Sequence, residues 1–145
     1  MGFLYKKFRT KTKRKRPKSP YQRAKDLLDD VFSILIRTRD RRRYGGVCPI
    51  CKSRPIEVCF HFFPRGNLAT RFEPDASCGS CSPCNMGEML NRNRTDKYKN
   101  ALIGMVGQER YDELERQSRS KVKMSAEDLL TSKRAIEAKM AKGDF

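Results

Sequence analysis

The sequence predicts an α+β fold in which a small, metal-pinned β core lies between an N-terminal helix and a helical C-terminal segment. Three observations lead to this prediction. Apolar residues recur at helical spacing toward both ends of the chain, and a stretch rich in cysteine, proline and glycine with one alternating aromatic run lies between them. Hydrophobic residues make up only 37% of the 145 residues and charged residues 34%, so the core is small and needs a staple such as a metal.

Residues 1–19 are predicted to be a basic arm that is disordered until it meets a polyanion. The first twenty residues hold nine lysines and arginines and no acidic residue, and the chain carries a net charge of +16. Such charge is typical of proteins that bind the phosphate backbone of nucleic acid. A membrane is the less favoured partner, because the chain has no long apolar run and no signal or lipidation motif. The predicted phosphate contacts of the arm are Lys13, Arg14, Lys15 and Arg16.

Residues 20–46 are predicted to form one arginine-rich helix. We expect Ser19 to cap it, Pro20 to occupy its first position, and Gly45 and Gly46 to end it. Its predicted apolar face comprises Tyr21, Ala24, Leu27, Leu28, Val31 and Leu35. Cations crowd its C-terminal end, where they suit the helix dipole and either clamp phosphates or are simply solvated. These cations are Arg37, Arg39, Arg41, Arg42 and Arg43.

Residues 96–145 are predicted to be helical. The segment "DKYKNALIGMVG" is one short helix that Gly107 ends, and "QERYDELERQSRSK" is a second. The third, "SAEDLLTSKRAIEAKM", begins with Ser125 and Asp128 at capping-box spacing and ends before Gly143. The faces of these helices and of the first helix could form a homodimer or pack within one chain equally well.

Residues 47–95 are predicted to be the metal-bound core, because "CPIC" and "CSPC" are two CxxC pairs. Each pair forms a tight turn, here called a knuckle, that brings two thiolates close together, and two knuckles complete the four-sulfur set of a structural zinc site. Cys78 leaves an alternative open, since "CGSC" is a second candidate knuckle, and Cys59 is either a spare thiol or a small buried residue. The favoured zinc ligands are Cys48, Cys51, Cys81 and Cys84.

The only histidine, His61, lies in the run "IEVCFHFF", which reads as a strand on which Glu57 and Cys59 share its face. It could be a packed strand residue, a zinc ligand or a catalytic base. A strand histidine inside a zinc-pinned loop, followed by CxxC-Asn, matches the plan of ββα-metal (HNH) nucleases. In that plan the histidine activates water, while Asn85 and Asn91 supply oxygen ligands for a catalytic Mg²⁺ or Mn²⁺ next to His61.

With these residues in view, the chain resembles the NinG (Rap) family of lambdoid phage recombination proteins, which are zinc-containing, HNH-like endonucleases. The resemblance runs from about Pro20 to Lys142. It is carried by "ILIRTRD", "CPIC", the pair His61-Phe62, "RFEPDASCGSCSPCN", Asn91 and "LIGMVGQERYDELE".

The resemblance implies a structure-selective endonuclease that cuts branched DNA, of the Holliday junction or D-loop type, in the cytoplasm of a bacterial host. It implies a small ββα-metal (HNH-like) core in which Cys48, Cys51, Cys81 and Cys84 bind zinc. His61 takes the place of the general base, and Asn91 takes that of the metal-binding asparagine at the end of the ββα helix.

Two positions differ from the HNH pattern: Ala76 replaces an orienting asparagine, and Phe60 replaces an acidic residue or glycine before the histidine. Asp75 is the neighbour that could orient His61, and either Asp75 or Glu57 could add a carboxylate to the metal site. Arg65 or Arg71 would offset phosphate charge. The alternative function, which Ala76 and Phe60 favour, is a non-catalytic zinc protein that binds nucleic acid in phage recombination or transcription.

Overall fold

The computed structural model of the chain describes residues 16–90 and 95–145, and within them the predicted α+β class is confirmed. The predictions for Lys13, Arg14, Lys15 and Asn91 lie outside these residues. Two strands, β1 (Val58–His61) and β2 (Ser77–Ser80), form an antiparallel sheet. The helices are α1 (Pro20–Arg43), α2 (Leu68–Arg71), α3 (Ser82–Leu90), α4 (Thr95–Val106), α5 (Gln108–Ser118) and α6 (Ala126–Ala141).

The predicted ends of α1 are confirmed. The Ser19 hydroxyl accepts a hydrogen bond from the Gln22 backbone N–H, and Pro20 occupies the first turn, where its missing N–H costs nothing. After the last turn, Gly45 and Gly46 have φ values of 62° and 79°, a left-handed conformation that glycine adopts at little cost. Local sequence chemistry therefore sets both ends of this helix.

The predicted apolar face of α1 is wrong in part. Tyr21 and Leu27 are 37% and 47% exposed, whereas Phe32 and Ile36 are almost fully buried. The buried positions recur every four residues and face two different partners, α6 near the start of the helix and the sheet near its end. Because these partners are set by tertiary packing, periodicity alone does not identify the buried stripe.

The sheet is short and is bordered by α1 on one side. The predicted strand over residues 56–63 is reduced to Val58–His61, whose partners across the sheet run from Ser80 to Ser77. Buried Asp40 of α1 accepts the backbone N–H of Gly79 at 2.7 Å and a two-point hydrogen bond from Arg39. The helix is thus anchored directly to the middle of β2.

Gly79 marks the closest approach to β2 and gives a first testable prediction. A Cβ at this position would lie 2.7 Å from Ile56 Cγ2 and 3.3 Å from Asp40 Cβ. We expect Gly79→Ala to lower the free energy of unfolding by about 1–3 kcal/mol, measured by urea denaturation, because the overpacked strand must shift. Gly66→Ala is the matched control, since a Cβ there meets nothing within 4 Å. Equal unfolding midpoints for the two variants would contradict the prediction.

The C-terminal helices pack in two places. The capping box of α6 is confirmed, with Ser125 and Asp128 each bonding the other's backbone N–H, and Leu129 of α6 is buried against Ala24 and Leu28 of α1. Helices α4 and α5 instead enclose a cluster around Leu102, Tyr111, Leu114 and Ala76. Of the helices described above, none is both long and apolar enough to cross a membrane.

Candidate metal centre and histidine cleft

The four cysteines of the two knuckles meet in space as the sequence predicts. Their sulfur atoms all lie within 4.8 Å of one another, and Cys51 Sγ is 3.8 Å from Cys81 Sγ. A tetrahedral zinc with Zn–S bonds near 2.3 Å separates its sulfur ligands by roughly 3.8 Å. This donor set therefore fits a structural zinc ion, held by Cys48, Cys51, Cys81 and Cys84.

Local backbone hydrogen bonds shape both knuckles. In the first, the Lys52 N–H donates to the Cys48 carbonyl at 2.8 Å, and Lys52 takes the left-handed conformation that closes the turn. In the second, Cys81 directly follows β2 and Cys84 lies in the first turn of α3, with the Asn85 N–H donating to the Cys81 carbonyl. A metal here ties the loop before β1 to the start of α3.

The other two cysteines lie outside this cluster, which settles the alternative that spacing left open. Cys78 is fully buried on β2 opposite Phe60, and burial raises the pKa of its thiol well above the ordinary value. Burial likewise raises the pKa of Cys59 to about 12. Neither sulfur belongs to the group of four that could share one metal ion.

His61 is held on both sides by residues that the sequence did not single out. It ends β1 directly opposite Ser77, and its Nδ1 lies 3.1 Å from the Ser77 Oγ, a hydrogen bond whose donor depends on the tautomer. Its ring stacks on Phe32 of α1, with centroids 5.9 Å apart and planes at 18°. Strand register and an aromatic stack therefore orient the imidazole, although Ala76 offers no amide to do so.

The surroundings of His61 favour the neutral imidazole. Burial, together with the positive charges of Arg65 and Arg71, lowers its pKa to about 4, although Asp29 opposes the shift. At pH 7 the ring is consequently uncharged.

This shift predicts a pH-dependent stability. The unfolded chain, with a histidine pKa near 6.5, binds a proton that the folded chain excludes until the pH approaches about 4, so stability falls as the pH drops through that window. Between pH 7.5 and pH 5.5 we expect the wild type to lose about 1 kcal/mol more than His61→Gln does, measured by urea unfolding with excess zinc. Parallel losses in the two proteins would show that the pKa of His61 is not depressed.

His61 opens into a cleft of about 320 Å³ that also contains Asn85 and Arg65. Sequence reasoning selected all three residues, and the fold brings them together although they come from β1, the following loop and α3. In such a cleft the imidazole can exchange a proton, the amide oxygen can ligate a cation, and the guanidinium can neutralise an anion. The cleft is lined by Cys59, Phe60, His61, Phe62, Phe63, Pro64, Arg65 and Asn85.

The two carboxylates predicted near His61 are engaged elsewhere and do not line this cleft. Glu57 accepts the backbone N–H and the hydroxyl of Ser82 at 2.9 and 2.7 Å, so it caps the start of α3, and these hydrogen bonds lower its pKa. Asp75 accepts from Arg110 of α5 at 2.9 Å. Over residues 16–90 and 95–145, the cysteine cluster is the one His/Cys/Asp/Glu group placed to hold a metal.

Arg65 and Arg71, both predicted to contact phosphate, have different settings. Arg71 is only 8% exposed and makes a two-point ion pair with Asp29 of α1 at 2.6 and 2.9 Å, and it also donates to the Arg65 carbonyl. Arg65 approaches the same carboxylate at 3.6 Å, and its side chain is 58% exposed. Arg71 thus stabilises the loop after β1, while Arg65 is accessible to a ligand.

The arginines at the end of α1 divide in the same way. Arg39 is nearly buried and donates to Asp40 and to the carbonyls of Pro74 and Ser77, while Arg37 and Arg41 donate to the carbonyls of Glu57 and Ile56. Arg41, Arg42 and Arg43 are exposed, as is Arg16 before the helix, and the Arg42 guanidinium lies 4.1 Å above the Phe145 ring. The exposed arginines of the last turn of α1 form a cationic surface at the C-terminal end of this helix.

Comparison with known proteins agrees with the sequence resemblance. The family described as Bacteriophage Lambda NinG protein matches residues 5–144 of the 145. Comparisons with curated proteins and with solved structures gave no match. Because the family match spans almost the whole chain, this protein belongs to the NinG family of bacteriophage proteins.

Proposed function

We propose that this chain is a metal-dependent endonuclease that cuts branched DNA, of the Holliday junction or D-loop type, in the cytoplasm of the bacterial host. One observation carries the proposal. A neutral His61, fixed through Nδ1 by Ser77, opens into a cleft that it shares with Asn85 and the accessible Arg65. The order of β1, β2 and α3 along the chain supports the proposal, since it is the order expected of a ββα-metal nuclease core.

In the proposed reaction His61 acts as general base. In the tautomer whose Nδ1–H donates to the Ser77 hydroxyl, the Nε2 lone pair is available to take a proton from water. Arg65 binds the phosphodiester, and the negative charge of that phosphate raises the pKa of His61 toward the range in which a base is effective.

Asn85 would hold a catalytic Mg²⁺ or Mn²⁺ next to His61, together with Asn91. Amide oxygens suit a hard cation of this kind, and a bound divalent ion stabilises developing charge on phosphate oxygen. The zinc has a different part. Four thiolates leave no open position for water, so zinc would fix the positions of β1 and α3 without taking part in hydrolysis.

The proposed DNA contacts are those cations that the fold leaves exposed. Arg41, Arg42 and Arg43, with Arg16 and the basic arm before it, would bind phosphates without reading sequence. Arg39 and Arg71 contribute indirectly, because their guanidinium groups hold the sheet and the loop after β1. Affinity for any DNA is therefore expected to fall steeply as salt rises.

Ser77 provides a prediction specific to this site. We expect Ser77→Ala to lower the cleavage rate about 10- to 100-fold, because the imidazole loses the partner that fixes its ring and tautomer. Ser80→Ala is the matched control on the same strand, since the buried Ser80 hydroxyl donates to the neighbouring Cys81 carbonyl at 3.4 Å and not to His61. The cleavage rates of the two variants are compared in single-turnover reactions, and their zinc content serves as a check on folding. Equal rates would remove Ser77 from the mechanism.

The activity itself is tested with an end-labelled four-way junction and an unbranched duplex of the same sequence. Purified zinc-loaded protein with Mg²⁺ or Mn²⁺ should nick the junction near its branch point and leave the duplex intact. Binding without cleavage in either metal would refute the nuclease proposal.

One observation favours the second candidate, a non-catalytic zinc protein that binds branched or single-stranded nucleic acid. Glu57 and Asp75, the carboxylates expected near the metal, are bonded to Ser82 and Arg110. In that case the junction is bound with the same salt dependence, and His61→Ala changes neither affinity nor DNA integrity.

A further inference from the structure

A second pocket adjoins the histidine cleft, because Phe62 and Phe63 line both. Its volume is about 270 Å³, and no step of the proposed hydrolysis uses it. Helices α4 and α5 form its other walls. The lining residues are Phe62, Phe63, Asp96, Tyr98, Lys99, Leu102, Tyr111 and Glu115.

Four of the eight lining residues are aromatic, and two of those are accessible. Tyr98 and Tyr111 are 4% and 8% exposed and form the back of the pocket, whereas Phe62 and Phe63 are half-buried at the border with the cleft. Phe62 is fixed edge-on against Phe60, with centroids 4.9 Å apart. A rigid ring at a pocket entrance is a surface on which a planar ligand stacks.

The charges of the pocket indicate which planar ligand fits. Glu115 and Asp96 contribute carboxylates, and Lys99 holds its ammonium 5.1 Å from the centre of the Tyr111 ring. Glu115 accepts from the Tyr111 hydroxyl at 3.4 Å and lies 3.6 Å from Arg119, which leaves further lone pairs on its oxygens. Carboxylate oxygens of this kind accept hydrogen bonds from the amino groups on the edges of bases such as cytosine. Arg65 in the adjoining cleft offers the complementary site for a phosphate.

We propose that this pocket binds one unpaired nucleobase of the DNA strand whose phosphate lies in the histidine cleft. The inference rests on the proposed function, which supplies DNA as the ligand. A paired base cannot enter, and extracting one from a duplex is unfavourable, whereas a base at a branch point is already weakly stacked. The pocket therefore selects branched or single-stranded DNA by the availability of a free base.

The test uses a junction that carries one fluorescent 2-aminopurine at its branch point and a control junction that carries it in a paired arm. Stacking on Phe62 should quench the branch-point probe and leave the paired probe unchanged. Phe62→Leu keeps the apolar bulk but removes the ring, whereas Phe62→Tyr keeps the ring. We expect the leucine variant to lose the quenching and to bind single-stranded oligonucleotides about 10-fold more weakly, and the tyrosine variant to retain both properties.

Glu115→Leu tests the base edge without disturbing an aromatic ring. It should reduce the preference for an oligonucleotide of dC over one of dT, since the side-chain oxygens that accept from the cytosine amino group are lost. Unchanged quenching in Phe62→Leu together with unchanged base preference in Glu115→Leu would overturn the inference. A failure of the base-pocket inference can be distinguished from a failure of the nuclease proposal. Quenching is measured with His61→Ala, a variant that should bind the junction without cutting it.

Discussion

Removal of zinc is expected to unfold the β core and to release the C-terminal half from it. The metal joins the loop before β1 to the start of α3. Three of its ligands lie in a buried cluster with Ile50, Phe60, Cys78 and Tyr98, and the fourth, Cys51, packs against that cluster. Tyr98 of α4 donates its hydroxyl to the Cys84 carbonyl at 2.8 Å, so loss of the second knuckle also removes an anchor of α4. Structural zinc sites contribute on the order of 10 kcal/mol at neutral pH, more than a small domain has in reserve.

The measurement combines metal analysis with circular dichroism during chelation. We expect one zinc per chain, loss of helical signal when the chelator removes it, and recovery when zinc is restored. Cys84→Ser should lack zinc and fold poorly, whereas Cys59→Ala, which changes a cysteine outside the cluster, should keep the full complement. Retention of the folded signal in the metal-free protein would show that apolar packing alone maintains the core.

Features that depend on neighbouring residues could be predicted from the sequence. The Ser19 cap, the glycines after α1, the capping box of α6 and the two knuckles are each specified within a few residues. Such signals act locally, because the hydrogen bonds and backbone conformations they describe form inside one turn. The cysteine cluster could be predicted on the same basis, because each CxxC pair is a local turn and two such pairs supply the four ligands of a zinc site.

Features that depend on strand register could not be predicted in this way. Ser77 meets His61 only because β1 and β2 pair antiparallel with these two residues opposite each other. A shift of one residue would place Cys78 or Ala76 there instead. Assigning β2 from the sequence would have needed a strand in "SCGS", whose serines and glycine carry little β preference. Asp29 and Asp40 were not predicted for a related reason. The partner of Asp29, Arg71, lies on another element, and Asp40 meets the Gly79 N–H only when α1 packs on the sheet.

Substitution of His61 by alanine is expected to lower the rate of junction cleavage by about 10²- to 10⁴-fold, the usual contribution of a general base. Junction affinity and zinc content should stay near those of the wild type, because His61 is not a zinc ligand and exposed arginines bind the DNA. The variant leaves a space beside Phe32 and Ser77 that free imidazole can enter, so added imidazole should restore part of the rate. A histidine that served only packing would give no such rescue, and a variant that cuts as fast as the wild type would exclude His61 as the base. Rescue that grows as the pH rises through the pKa of imidazole would identify the neutral ring as the active form.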